Sequence, residues 1–205
     1  MIAIVDYGVG NLSSLRRSLE AVGADVTVTD DIHVLESADK IVLPGVGAFR
    51  DAARRLRESG LGDTIVSLAK DGKPLLGICL GMQLLFDESR EYGVHKGLGL
   101  IHGSIVPISY VIPAGLKIPH IGWNSLTFTK ESPLFSDTPD GSYVYFVHSY
   151  YASECDDSVI AVTDYGAPLT AVVARKNVMG CQFHPEKSGD AGLRILKSFA
   201  EMEAL

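Results

Sequence analysis

Short apolar runs alternate with amphipathic stretches over the first ninety residues. Ile2-Ala3-Ile4-Val5 has strand length, and Leu12, Leu15, Leu19 and Val22 follow at helical spacing, with Gly23 as a stop. Val26-Thr27-Val28-Thr29 and Lys40-Ile41-Val42-Leu43 predict two more strands. Phe49, Ala53 and Leu56, then Ile65, Leu68 and Ala69, mark helices. Pro74 to Phe86 begins as a run suited to a strand buried on both faces and continues as a helical segment through Leu80 and Leu84. Strand followed by helix, repeated, predicts a parallel sheet covered on both faces.

After Arg90 the pattern changes. Ile101 to Tyr110, Ile118 to Phe128, Tyr143 to Ala152 and Val159 to Thr163 predict strands with no long helix between them. Thr170 to Arg175 and Val178 to Phe183 flank Lys176-Asn177, a hairpin signal. Leu193, Ile195, Leu196, Phe199 and Met202 form a last helix with Asp190 near its start. The expected fold is α/β, an open, mixed, mostly parallel central sheet with flanking helices. An antiparallel extension is expected on the same sheet. No linker, repeat or low-complexity segment divides residues 1–205, so one domain is expected.

The balance of charge narrows the function classes. A net charge of −7 and a pI near 5.3 argue against a nucleic-acid surface. Arg16-Arg17 and Arg54-Arg55 with Arg57 are interleaved with acids, which predicts solvated helix faces. The N-terminus has neither a basic region nor a cleavage site, and the longest apolar run is too short to span a bilayer. Cys79, Cys155 and Cys181 are odd in number and lack framework spacing. A reducing, cytoplasmic setting is expected.

Between the strand and the helix of the Pro74–Phe86 stretch sits Gly77-x-Cys79-x-Gly81, the cysteine form of a nucleophile elbow. A side chain on so sharp a turn stands clear of the sheet, and flanking glycines relieve the crowding. The helix N-terminus favours a thiolate. The competing reading is a small buried hydrophobe. A free thiol has a pKa of about 8.5, so a nucleophile needs a base nearby. His184-Pro185-Glu186 offers one from a single segment: in an extended chain His184 and Glu186 face the same side, and a carboxylate orients an imidazole.

Other readings are weaker. Asp6 to Asn11 follows a strand, but Ser13 stands where a dinucleotide fingerprint needs its third glycine. Cys181, His184 and Glu186 could ligate a metal, yet no C-x-x-C or H-x-x-x-H accompanies them; no metal and no cofactor are expected. His102, His120 and His148 lie among apolar or aromatic residues, where a structural or binding role is the better reading, and His33 and His95 look exposed. Cys155 sits beside Glu154 and Asp156, which disfavour its thiolate. Cys181 reads as core. Pro44-Gly45-Val46-Gly47 ends a strand, where two glycines allow N–H groups to face a ligand or simply make a tight turn.

Gly77-Ile78-Cys79-Leu80-Gly81-Met82-Gln83 together with Gly180-Cys181-Gln182-Phe183-His184-Pro185-Glu186-Lys187-Ser188 resembles the class I glutamine amidotransferases. Within that family four stretches are similar to the glutaminase subunits of imidazole glycerol phosphate synthases. They are Asp6-Tyr7-Gly8-Val9-Gly10-Asn11-Leu12, Leu43 to Phe49, Ile121-Gly122-Trp123-Asn124 and Phe146-Val147-His148-Ser149-Tyr150-Tyr151. The resemblance covers essentially the whole chain. It implies Cys79 as nucleophile, His184 as base and Glu186 as its orienter. It also implies an oxyanion hole from Leu80 with Val46 or Gly47, and glutamine held by Gln83, Ser149 and Tyr150. Pro-Gly-Val-Gly replaces the Pro-Gly-Gly of many relatives and leaves open which loop N–H donates.

The resemblance further implies a heterodimer with a (β/α)8-barrel cyclase that uses the ammonia in histidine biosynthesis, with Asn11, Trp123 and Lys187 near the interface. Glutaminase activity would then be weak until the partner binds its substrate. A stand-alone cysteine hydrolase and a non-catalytic binding subunit are the competing classes. A glutaminase serving pyridoxal phosphate synthesis is a third, which Gly122-Trp123-Asn124 and Tyr7-Gly8-Val9-Gly10-Asn11 argue against.

Overall fold

The computed structural model describes residues 1–203. Its first half alternates as expected: β1 (Ile2–Val5), α1 (Leu12–Ala21), β2 (Val26–Thr29), α2 (Ile32–Ser37), β3 (Lys40–Leu43), α3 (Phe49–Glu58), α4 (Leu61–Lys70), β4 (Leu75–Ile78) and α5 (Leu80–Leu84). Then come β5 (Phe86–Ser89), β6 (His95–Lys96), β7 (Ile101–Pro107), β8 (His120–Ser125), β9 (Thr127–Phe128), β10 (Tyr143–His148) and β11 (Tyr150–Ser153). The chain closes with β12 (Val159–Asp164), β13 (Pro168–Arg175), β14 (Val178–Cys181) and α6 (Gly189–Glu201).

The main sheet has eight strands in the order β2-β1-β3-β4-β14-β13-β12-β9. The five from β2 to β14 are mutually parallel, and β13, β12 and β9 add on antiparallel. Alternation along each strand divides the core. Ile41, Leu43 and Leu75 face the layer of Phe49, Leu56 and Ile65, while Val42, Leu76 and Ile78 face Leu15, Leu19, Leu196 and Phe199. The arginines of α1 and α3 lie on solvated faces as expected: Arg16 pairs with Glu20 at 2.7 Å and Arg54 with Asp51 at 3.4 Å, all substantially exposed. Among the described residues no helix is long and apolar enough to cross a membrane.

Two expectations need correction. The second-half strands do not all extend the central sheet: β8 and β10 form a two-stranded sheet, and β11-β7-β5-β6 a four-stranded one. The run Tyr143–Ala152 breaks at Ser149, whose carbonyl accepts from the Ile108 N–H at 3.0 Å, so its halves join different sheets. The helix of the central stretch also stops early. Leu85 O accepts from Leu100 and Ile101, and Phe86 begins a strand parallel to β7. Phe86 and Ile101 are both fully buried there, so tertiary packing outweighs helical spacing.

Strand register sets the place of the site. Leu43 and Gly180 both pair with Gly77, and Cys181 pairs with Ile78. The C-terminal ends of β3, β4 and β14 therefore lie side by side, at the edge where parallel sheets bind ligands.

Candidate active site

Cys79 stands between β4 and α5 with φ 54° and ψ −110°. A non-glycine residue there costs on the order of 1–3 kcal/mol and persists only where its surroundings dictate it. They do: the Cys79 N–H donates to Cys181 O at 2.8 Å, and its carbonyl accepts from the Gln83 N–H at 3.2 Å. Both flanking glycines are required. A Cβ on Gly77 would lie 2.7 Å from Gly81 O and from Met82 Cα, and one on Gly81 would overlap the Leu43 carbonyl oxygen. Gly81→Ala is expected to destabilise the protein by about 3 kcal/mol, since no flexible side chain can yield. Urea unfolding checks this, and a loss below about 0.5 kcal/mol would contradict the steric account.

His184 and Glu186 meet differently from the extended alternation expected. Pro185–Lys187 form a 3₁₀ turn, begun by the fixed φ of proline. The turn brings His184 Nδ1 within 2.9 Å of Glu186 Oε1, with both side chains 4% exposed. Glu186 Oε2 is buried and has no hydrogen-bond partner. A carboxylate so placed requires a compensating positive charge. The His184 backbone is itself held, its N–H donating to Tyr145 O at 3.0 Å and its carbonyl accepting from Ser188 Oγ at 2.6 Å.

Burial alone would lower the His184 pKa. Hydrogen bonds and charges from Cys79 and Glu186 outweigh it and raise the group to about 9. The imidazole thus carries a proton at neutral pH. The helix that follows Cys79, α5, has only five residues and so carries a small dipole.

A cleft of about 580 Å³ opens over Cys79 and His184. Val46, Gly47 and Leu80 line one part of it, and Gln83, Ser149, Tyr150 and Lys187 are among the residues that line the rest. The Leu80 N–H is already occupied, donating to Gly45 O at 3.3 Å. Gly47 has φ 95° and Val46 is 43% exposed. Gln83 Nε2 donates to Tyr150 O at 3.3 Å and Gln182 Oε1 at 3.0 Å, which leaves its oxygen for a ligand. Asn11 lies outside the cleft and caps α1, its Oδ1 accepting from the Ser14 N–H at 3.4 Å. Trp123 is 53% exposed on β8, edge-on to Tyr145.

The remaining candidates sort themselves. Burial is the main cause that pulls His148 down to about 4 and lowers His120. The two rings are 3.0 Å apart at their nitrogens, and His148 also lines the cleft. His102 is exposed on Asp87, and His33 is exposed beside Glu36. His95 is half-buried, contrary to expectation, because β6 pairs it with Ser89 of β5. Burial first, then Asp156, raises the Cys155 thiol to about 11. Burial likewise pushes Cys181 well up, and it is fully enclosed. Among the described residues no cluster of three or more His, Cys, Asp or Glu could hold a metal ion.

The family model for "Glutamine amidotransferase class-I" matches residues 3–202. The chain belongs to the class I glutamine amidotransferases. It is 50% identical over 203 residues to "Imidazole glycerol phosphate synthase subunit HisH" of Caldanaerobacter subterraneus subsp. tengcongensis, covering 98% of each chain. The protein of that name from Methanothermobacter thermautotrophicus is 51% identical, again over 98% of each. Among solved structures, a "Crystal structure of glutamine amidotransferase" superposes with TM-score 0.76 at 19% identity, covering 98% of this chain and 100% of that one. "Structure of PurLQS from Thermotoga maritima" superposes with TM-score 0.75 at 22% identity, covering 97% and 96%. At such identities these two speak to the fold alone.

Two polar residues of this amidotransferase site escaped sequence reasoning. Gln182 is fully buried, and its Nε2 donates to Cys79 Sγ at 3.8 Å. The signal was present, since an amide interrupting the apolar run Val178–Phe183 must find partners. Glu91 lines the cleft and accepts from the Phe49 N–H at 2.5 Å, at the start of α3. It sits in a loop whose path no local pattern encodes.

Proposed function

We propose that this chain is the glutaminase subunit of an imidazole glycerol phosphate synthase. It hydrolyses glutamine and passes the ammonia to a cyclase subunit in histidine biosynthesis. The observation that carries the chemistry is the buried His184–Glu186 pair beside Cys79 at the floor of the cleft. Cys79 Sγ attacks the side-chain amide carbon, and the electron pair of the carbonyl moves to oxygen. His184 gives its proton to the departing nitrogen, and ammonia leaves a thioester. His184 then takes a proton from water, which attacks the thioester, and the sulfur leaves as glutamate forms.

Each tetrahedral oxyanion needs N–H donors, and losing one costs about 2.7–4 kcal/mol in other hydrolases. Leu80 is the first donor, once the Gly45 carbonyl withdraws. Turning the Gly45–Val46 peptide removes that carbonyl and presents the Val46 N–H in its place, which selects Val46 over Gly47 as the second. A site at rest with its donor occupied hydrolyses glutamine slowly until something moves the peptide. Glu91 suits the α-ammonium of glutamine, and the free oxygen of Gln83 supplements it.

The partner has a natural seat. Ile121, Trp123 and Tyr143 are exposed on the β8–β10 sheet, whose Val147 also lines the cleft. A barrel docked on that apolar face would cover the site mouth and keep ammonia from water, with Asn11 and Lys187 at its margin. Loaded with its own substrate, the cyclase subunit should raise glutamine hydrolysis at least tenfold over the isolated chain, and Trp123→Ala should weaken complex formation at least tenfold. Equal glutaminase rates with and without the partner would instead identify a stand-alone hydrolase.

A further inference from the structure

Tyr7 stands just past β1, at the start of the loop that leads to α1. Its ring is 6% exposed, in the apolar layer with Leu43, Phe49 and Leu80. Its hydroxyl donates to Pro44 O at 2.7 Å. Burial first, and then the charge of Cys79, push the phenol well above its ordinary range, so it stays a donor at any working pH. A second point of the same loop touches the same proline. A Cβ on Gly10 would lie 3.5 Å from Pro44 Cβ.

We infer that Tyr7 is a positioning residue for the oxyanion loop: it pins the Pro44–Gly45 peptide, so that the Gly45–Val46 peptide alone turns to release the Leu80 N–H. The inference rests on the glutaminase reading above. A planar peptide turns about the line between its two Cα atoms through opposed changes in the flanking dihedrals. The turn is local only if a neighbouring peptide is held. On the far side little holds it: Val46 is 43% exposed, and a Cβ on Gly47 would meet nothing within 4 Å. On the near side the Tyr7 hydroxyl holds the Pro44 carbonyl. The same oxygen also walls in the pivot, because a Cβ on Gly45 would lie 2.6 Å from Tyr7 Oη and 3.0 Å from Gly81 N. Without the hydroxyl the whole loop shifts, and the oxyanion meets donors that are misplaced.

Tyr7→Phe keeps the ring packing and removes only the oxygen. In the complex with the cyclase subunit, kcat for glutamine hydrolysis should fall about tenfold, the rate equivalent of one ordinary buried hydrogen bond. The KM for glutamine and the rate of Cys79 alkylation by iodoacetamide should stay within twofold, since neither depends on the oxyanion donors. An unchanged kcat would overturn the proposal. So would a KM that rises and an alkylation rate that falls in step with kcat, which marks a general collapse of the site. Failure of the underlying glutaminase reading is separately visible, because the unaltered complex would then show no glutamine turnover.

Discussion

Cys79→Ala is expected to eliminate glutamine-dependent synthesis by the assembled synthase, by about 10⁴-fold or more, and to leave ammonia-dependent synthesis intact. The two halves of that result follow from separate parts of the molecule. On the proposed mechanism the sulfur is the atom that forms the covalent intermediate, and no neighbour can replace it. Cys181, whose carbonyl accepts from the Cys79 N–H, is fully enclosed and held neutral by burial. Its strand position beneath the elbow faces packed hydrocarbon. The cyclase half is untouched because Cys79 is 8% exposed, while the proposed docking face is the outer surface of β8 and β10. Alanine also fits: it removes one atom and leaves φ and ψ to be imposed by the same backbone bonds. The measurement is synthesis by the complex with glutamine or with ammonium salt as nitrogen source. Loss of both activities in a complex that still assembles would refute a pure ammonia-donor role.

What was legible in the sequence was what local sterics or periodicity dictate. Glycine at 77 and 81 is demanded by atoms within a few residues or on the adjacent strand, so the elbow could be read from five residues. The hairpin at Lys176-Asn177 is equally local: Lys176 takes φ 54°, and Asn177 Nδ2 donates to Ala69 O and Lys73 O. The parallel sheet followed from apolar runs of four residues separated by amphipathic ones. Illegible were contacts set by how distant segments arrive. The Gly45 carbonyl on the Leu80 N–H depends on the path of the β3–α3 loop over the elbow, and nothing in Pro44-Gly45-Val46-Gly47 specifies a peptide's orientation. The break at Ser149 was hidden because Tyr143–Ala152 alternates acceptably throughout. Only the competition between β8 and β7 for partners divides it. Strand alternation predicts that His184 and Glu186 meet, and they do, but through a turn that proline begins.

Glu186→Gln should lower kcat by roughly 10³–10⁴-fold while leaving the fold in place, an estimate scaled from the corresponding change in a serine protease. The side chains are isosteric, so packing survives. What changes is the proton. Glu186 Oε1 accepts from His184 Nδ1–H at 2.9 Å, which reserves the other ring nitrogen for Cys79. An amide nitrogen turned toward Nδ1 would donate instead and reverse the tautomer, so that the nitrogen facing the sulfur could no longer accept its proton. The charge is lost as well. Burial, which already pulls His184 downward, then meets only Cys79 in opposition, and the imidazole pKa falls from about 9. The pH dependence follows with a definite sign. In the unaltered enzyme the imidazolium that, on the proposed mechanism, protonates the departing nitrogen is lost as pH rises through about 9, so kcat should decline on that alkaline side. In the variant the decline moves to lower pH. Stability shifts in the same sense: a histidine raised on folding contributes fully below its unfolded pKa of about 6.5 and progressively less as pH rises toward the folded value. The unaltered chain therefore loses this contribution between those limits, and the variant loses less because it has less to lose. Rate–pH profiles and thermal unfolding across pH 6 to 10 measure both effects. A variant within tenfold of the parent, with its alkaline decline in the same place, would mean that Glu186 does not set the charge of His184.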